Sequence, residues 1–196
     1  MNAIPNSLKK LIDQFSKLPG IGKKTAERLS IYMLKVGKQE ASDFSESINS
    51  LKNNIQTCEV CHSFTDDVCY ICNDPNRDKK IICVVEDPVD IFLIEKSGFK
   101  GMYHVLNGLI SPLDGVKPEN LNIDSLLNRI DEIEEIVIGI EASSEGDVTN
   151  LYLSEILKNL NIKVTRFSRG MPIGSSLEFV DELTLTHSIN DRVEVK

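Results

Sequence analysis

The chain has no apolar run approaching the roughly 18–20 residues that a membrane-spanning helix requires. Its first residues also lack the charged stretch followed by an apolar one that directs export. A cytoplasmic location is therefore expected. An excess of positive charge is missing too: 22 Lys and Arg face 30 Asp and Glu, a formal charge of -8. That balance argues against electrostatic capture of nucleic acid by the chain as a whole. Large apolar residues are scarce between Thr57 and Lys80, where only Val60, Phe64, Val68, Tyr70 and Ile71 occur. Such a segment cannot build a core of its own. Cysteine is sparse as well, five in 196 residues, yet four of the five fall inside this core-less segment.

Those four form two pairs, Cys58-Glu59-Val60-Cys61 and Cys69-Tyr70-Ile71-Cys72. Two Cys-x-x-Cys pairs separated by a short polar loop can place four thiolates tetrahedrally about one ion, the arrangement that soft sulfur and d¹⁰ zinc favour. A structural Zn²⁺ contributes about 10–16 kcal/mol in finger peptides, enough to fold such a piece. A closed four-sulfur shell leaves no position for water, so the metal holds shape and does no chemistry. Cys58-Glu59-Val60-Cys61-His62 also matches the c-type haem attachment pattern. That pattern needs export and leaves the second pair unexplained. Disulfides are the other alternative, but a cytoplasmic chain of this size with a workable core does not need them. His62 is a conceivable substitute ligand, although four thiols suffice. Cys83, inside the run Ile81-Ile82-Cys83-Val84-Val85, reads as a buried small hydrophobe.

A length of 196 residues allows one ordinary domain or two small ones, and a hydrophobic content of 41% is normal for a soluble fold. Charge is unevenly spread. Residues 1–56 carry nine Lys or Arg against five Asp or Glu, and the remainder thirteen against twenty-five. A basic N-terminal module on an acidic body is implied. Ser7 to Lys17 reads as an amphipathic helix with Leu8, Leu11, Ile12 and Phe15 on one face, and a second helix fits Lys23 to Lys35. Leu18-Pro19-Gly20-Ile21-Gly22 lies between them. Pro19 cannot continue the first helix, and the glycines allow positive φ and close backbone approach. A bland connector with a Pro-Gly turn shares these features. Two details favour a phosphate-binding hairpin. The N–H groups of Ile21, Gly22 and the residues after them lie at the mouth of the second helix, where orphan donors and the dipole attract anions. Lys23 and Lys24 stand in the same turn, where cations cost about 0.3–1 kcal/mol each. Phosphate would offset that cost. A third helix, Ala41 to Ile55, carries Phe44, Ile48, Leu51 and Ile55 and is expected to pack on the first two.

From Ile81 onward, short apolar runs alternate with helical stretches: strands at Ile81–Val85, Met102–Leu106, Glu135–Ile140 and Lys163–Phe167, and helices at Val89–Lys96, Ile123–Asp131 and Glu145–Leu160. An α/β unit with a mainly parallel sheet follows. Ligands of such sheets bind beyond the carboxyl ends of the strands. Glu86 follows the first strand, and Glu145 and Asp147 follow the third. Hard carboxylate oxygens suit Mg²⁺. Equally, Ser144-x-x-Asp147 reads as a helix cap, and the two roles are compatible.

Several resemblances follow from these residues. Leu18-Pro-Gly-Ile-Gly followed by Thr25-Ala26 resembles the helix–hairpin–helix motif of DNA repair proteins, which implies backbone contact through Gly20, Ile21, Gly22, Lys23, Lys24 and Arg28. One Glu after the first strand and an acid-x-acid pair after a later one resemble the Toprim domain of topoisomerases, primases and some nucleases. Glu145 stands where that pattern usually has Asp. The modules in this order resemble the RecR family of bacterial recombination mediators across nearly the whole chain. The carriers are Leu18-Pro-Gly-Ile-Gly-x-x-Thr-Ala-x-Arg28, the four cysteines, Ile82-Cys-Val-Val-Glu-Asp-Pro88 and His104-Val-Leu-x-Gly-x-Ile-Ser-Pro-Leu-Asp-Gly115. Arg169-Gly-x-Pro-x-Gly174 and Leu177-Glu-x-x-Asp181-x-x-Thr-Leu185 continue them. Family members often have Asn-Pro-Thr where this chain has Glu141-Ala142-Ser143.

This resemblance implies a helix–hairpin–helix module over 1–56, a C4 zinc finger over 57–80, a Toprim-like domain over 81–174 and an oligomerisation segment over 175–196. It further implies a non-enzymatic scaffold, a dimer or tetramer that clamps DNA. Acting with RecO and RecF, such a scaffold helps load RecA at single-stranded gaps. Glu86, Glu145 and Asp147 then serve RecO docking or Mg²⁺. The competing expectation is a Mg²⁺-dependent Toprim nuclease or primase-like enzyme, against which stands the lack of a tyrosine set in a recognisable cleavage domain.

Overall fold

The computed structural model describes residues 4–194. The chain divides into two compact units, Met1–Ile55 and Gln56–Lys196.

The first unit is helical: α1 (Asn6–Phe15), α2 (Lys23–Lys35) and α3 (Lys38–Asn54). Ile12 of α1 and Ala26 and Ser30 of α2 are buried, and Leu8, Leu11, Phe15, Leu29 and Met33 half-buried around them. The small side chains at 26 and 30 leave room for the apolar stripe of α1. The reading of α3 needs correction. The helix forms, but none of its residues is buried, and Phe44, Ile48, Leu51 and Ile55 are all exposed. Their i, i+4, i+7 spacing makes a true apolar stripe. Phe44 faces a hollow of about 230 Å³ lined also by Phe15, Leu29, Tyr32 and Met33, while Ile48, Leu51 and Ile55 are left largely uncovered among the described residues of the unit.

The second unit begins with a two-stranded antiparallel ribbon, β1 (Gln56–Thr57) against β2 (Phe64–Thr65), which carries the first cysteine turn. After the second turn come β3 (Asp78–Val85), α4 (Pro88–Glu95), β4 (Gly101–Val105), α5 (Ile123–Leu127), β5 (Glu135–Ile138), α6 (Ser144–Leu157), β6 (Lys163–Arg166) and α7 (Glu182–Asn190). Strands β4-β3-β5-β6 pair in parallel in that order. Ile82, Cys83, Val84 and Val85 of β3 are all buried, as expected of a central strand covered on both faces. Leu126 of α5 and Leu153 and Leu157 of α6 complete the core. Expected and observed strand ends differ by a few residues, and α5 stops at Leu127, short of the expected Asp131. The carboxyl ends of β3 and β5 share one edge of the sheet, which brings Glu86 and Glu141 together.

Candidate metal centre, nucleic-acid interface and acidic edge

Residues 58–72 gather the four cysteine sulfurs into one group whose members all lie within 4.8 Å of one another. Cys61 Sγ is 3.5 Å from Cys69 Sγ, and Cys58 Sγ is 3.9 Å from Cys72 Sγ. Tetrahedral zinc with Zn–S bonds of about 2.3 Å requires sulfurs about 3.8 Å apart, so the donor set fits. No disulfide joins these sulfurs. Backbone N–H groups of Val60 and Cys72 point at the sulfurs of Cys58 and Cys69, at 3.4 and 3.5 Å. Burial opposes ionisation of Cys58, but the backbone donors of Cys61 and Val60 outweigh it and bring its pKa down to about 7. Cys61 is pushed far the other way by its bond to the Cys72 thiol and by burial. Four thiolates this close, three of them buried, cannot coexist unaided, and a bound dication would remove that conflict. His62 turns its ring away, with Nε2 2.8 Å from Ser125 Oγ, and is no ligand here. Cys83 is fully buried in the sheet, its pKa pushed up to about 12 by burial, in keeping with a neutral hydrophobe.

In the helical unit, the turn after α1 closes with the N–H of Ile21 donating to the Leu18 carbonyl at 3.1 Å, and Gly20 has φ +77°. A side chain at position 20 would be strained in that region. Gly22 caps α2 without any side-chain bond, and the first turn holds no acidic residue. The first intrahelical bond there is Ala26 N–H to Gly22 O, at 2.9 Å. Earlier N–H groups of α2 are left free, as at any uncapped N-terminus. Lys23, Lys24 and Arg28 are exposed, and Ile21 half-buried. Exposed cations therefore surround an uncapped helix start, an arrangement suited to a phosphate oxygen.

At the sheet edge the acids distribute differently from expectation. Among the described residues only the four cysteines form a group of three or more close enough to hold an ion. Glu86, Glu145 and Asp147 do not converge. Glu86 lines a hollow of about 260 Å³ with Asp90, Glu141, Leu93, Ile94 and Phe167. Its pKa is raised, by burial first and then by the charges of Glu141, Asp90 and Asp87. Asp147 lies in a separate cavity of about 590 Å³, paired with Arg169, whose hydrogen bond holds its carboxyl below the usual range. Glu145 sits in the first turn of α6 and lines neither hollow. The expected cap at Ser144 is one residue off. Ser143 is the N-cap, accepting from Gly146 N–H at 3.0 Å, and Arg169 takes up the Asp147 side chain. Gly146 is required because a Cβ there would collide with the Glu141 carbonyl oxygen. Asp90 was not singled out from the sequence, and Glu141 was noticed only as a departure from the family pattern, not as a partner of Glu86. The signal was available in Glu141, the first charged residue after the β5 run.

A helix–hairpin–helix unit followed in sequence by a four-cysteine knuckle and a parallel sheet with an acidic carboxyl edge defines a class, the modular Toprim proteins of DNA transactions. A Toprim domain model matches residues 80–168, a RecR helix-hairpin-helix model residues 8–52 and a RecR C-terminal model residues 170–193. The recombination protein RecR of Chloroherpeton thalassium (strain ATCC 35110 / GB-78) is 43% identical over an alignment of 205 residues that covers 100% of both chains. The chain belongs to the RecR family. No helix among the described residues is long and apolar enough to cross a membrane.

Proposed function

We propose that this protein is a DNA repair and recombination mediator, a non-enzymatic cytoplasmic scaffold. Family membership supports this reading, and the observation that carries it is the uncapped start of α2 flanked by Lys23, Lys24 and Arg28. Such a site takes the DNA backbone and reads no base sequence. In this reading the protein acts with RecO and RecF to help load RecA at single-stranded gaps, as the family resemblance implies. The zinc knuckle braces the start of the α/β unit. Glu86, Glu145 and Asp147, with Glu141 beside Glu86, offer an acidic edge to a basic partner such as RecO, since the same charge repels bare DNA.

Homo-oligomerisation completes the proposal. A 17-residue helix with no fully buried residue draws limited support from its own unit, and the Ile48 and Leu51 part of its stripe suits contact with a second copy. Solution mass with and without DNA tests the scaffold: a dimer or tetramer is expected, and Ile48→Asp should shift it toward monomer. A monomer that cleaves DNA with Mg²⁺ would instead support the Toprim enzyme, the reading that the paired Glu86 and Glu141 favour.

A further inference from the structure

The first cysteine turn is held by the α/β body at three consecutive residues. The Val60 carbonyl accepts from Arg129 Nη1 at 3.1 Å. The Cys61 carbonyl accepts from the N–H of Val105, at the end of β4, at 2.9 Å. His62 Nε2 meets Ser125 Oγ of α5 at 2.8 Å. By contrast, the second turn makes local bonds: Asn73 N–H and Nδ2 both donate to the Cys69 carbonyl, at 3.1 and 3.0 Å. One half of the centre is anchored to the body, and the other closes on itself.

Proton positions in the anchor follow from what each partner can do. His104 Nε2 lies 2.7 Å from the Asn122 carbonyl oxygen, which only accepts, so Nε2 carries the hydrogen. Nδ1 is then a lone pair, and the two hydrogens of Arg129 Nη1 are shared among three acceptors: this Nδ1 at 3.0 Å, the Tyr103 carbonyl at 3.0 Å and the Val60 carbonyl at 3.1 Å. Ser125 Oγ donates to the same Asn122 carbonyl at 3.0 Å, which leaves it to accept from His62 Nε2–H. Asn122 Nδ2 donates in turn to the Val105 carbonyl at 3.0 Å. The rings of His62 and His104 stand edge to face with centroids 5.2 Å apart. Both ring nitrogens of His104 are thus satisfied, and the residue is fully buried within the circuit. A satisfied buried network of this kind fixes geometry more firmly than isolated bonds do.

We propose that Arg129 is a positioning residue for the metal centre: through the Val60 carbonyl it holds the Cys58–Cys61 turn in ligating geometry, and it thereby couples metal occupancy to the corner between β4 and α5. The inference rests on the zinc reading of the four cysteines. Binding is easier when half the ligands are already ordered, because less chain entropy is lost on closing the shell. Coupling runs both ways by thermodynamic linkage, so metal bound to the knuckle must also steady Val105, Leu106 and Asn122.

The test is transfer of zinc from the full-length protein to a chromogenic chelator, with amide hydrogen exchange read in parallel. In Arg129→Gln, zinc release should accelerate on the order of 10–100-fold, in line with the affinity lost when outer-shell hydrogen bonds around a metal site are removed. Arg129→Lys, which keeps charge but not the planar fork, should lie between. Stripping zinc from the unaltered protein should raise exchange at 101–107, while β5 and β6 stay protected. Leu153→Ala, in the core of α6, controls for general destabilisation and should leave the release rate near that of the unaltered protein. Should Arg129→Gln not fold, Ser125→Ala carries the test through His62, with faster release expected. Unchanged release in the folded Arg129 variant, or in Ser125→Ala if it must stand in, would overturn the coupling. Absence of zinc from the unaltered protein would instead remove the metal reading beneath it.

Discussion

Arg77 and Glu95 meet at 2.6 Å, joining the strand entry after the zinc knuckle to the end of α4. The guanidinium lies 5.5 Å from the ring centroid of Tyr103, whose hydroxyl donates to the same carboxylate at 2.7 Å. A further Arg77 bond reaches the Gly101 carbonyl at 3.0 Å. The Arg77 side chain is only 9% exposed and that of Glu95 37%, so this pair is shielded on one side and wet on the other.

Breaking it should therefore cost more than a surface ion pair. Glu95→Gln removes the charge while Arg77 stays shielded, and a loss of about 1–3 kcal/mol is expected in denaturant unfolding. The Arg77 hydrogen bond is the chief reason that the Glu95 carboxyl titrates below its ordinary range. A depressed carboxyl stabilises the fold fully above its unfolded pKa of about 4.3, and that stability fades as pH falls through the native value. Unaltered protein should lose stability on acidification below about pH 4.3, and Glu95→Gln should lose less over the same range. Parallel acid limbs would show that the pair contributes nothing.

Replacing Lys23 and Lys24 with Ala should move binding and stability in opposite directions. Two cations leave the positive end of a helix dipole, so the fold should gain up to about 0.3–1 kcal/mol per lysine at low salt. Phosphate contacts are lost at the same time, and the slope of log K against log salt should flatten by about 0.7–0.9 per contact. Unchanged DNA affinity at several salt concentrations would reject the hairpin as the interface.

How much of this was legible in the sequence depends on the range of the interactions involved. The limits of α2, Lys23–Lys35, were readable because Pro19, Gly20 and Gly22 punctuate its start. The four cysteines were readable because their spacing itself encodes the shell. The apolar stripe of α3 was equally visible, but periodicity says that a face exists and not what covers it. At the acidic edge spacing told less: Glu145-Gly146-Asp147 has the acid-x-acid form, but nothing in it announces that Asp147 bonds Arg169, 22 residues away. Glu141 faces Glu86 because β3 and β5 are neighbours, a fact of topology and not of local pattern. Arg129 and Asn122 belong to no motif, and His104 opens the His104–Gly115 run without revealing its role, since its partners Asn122 and Arg129 lie 18 and 25 residues away.

The zinc centre makes a prediction with an internal control. Protein purified without added metal should contain close to one zinc per chain, and Cys69→Ser should lose it together with much of the roughly 10–16 kcal/mol such a site can contribute. Cys83→Ala should keep its zinc, because that buried thiol lies in the sheet, outside the group of four. Metal analysis with thermal melting reads both outcomes. Zinc retained in Cys69→Ser, or lost in Cys83→Ala, would mean that the ligand set is wrong.

Glu86 separates scaffold from enzyme through stability as well as activity. Burial and the neighbouring charges of Glu141, Asp90 and Asp87 raise its pKa, so ionising it is harder in the folded protein than in the unfolded chain. That penalty is absent below the unfolded pKa of about 4.3 and grows as pH rises through the native value. Glu86→Gln should therefore melt higher than the unaltered protein at pH 7 and level with it near pH 3. A carboxylate kept at a cost to stability implies a use for its charge, and docking of a basic partner needs no metal. The variant should accordingly bind a basic partner more weakly while zinc content and DNA affinity stay the same. Mg²⁺-dependent cleavage by the purified protein that vanishes in Glu86→Gln would reverse the assignment, because a scaffold has no cleavage to lose.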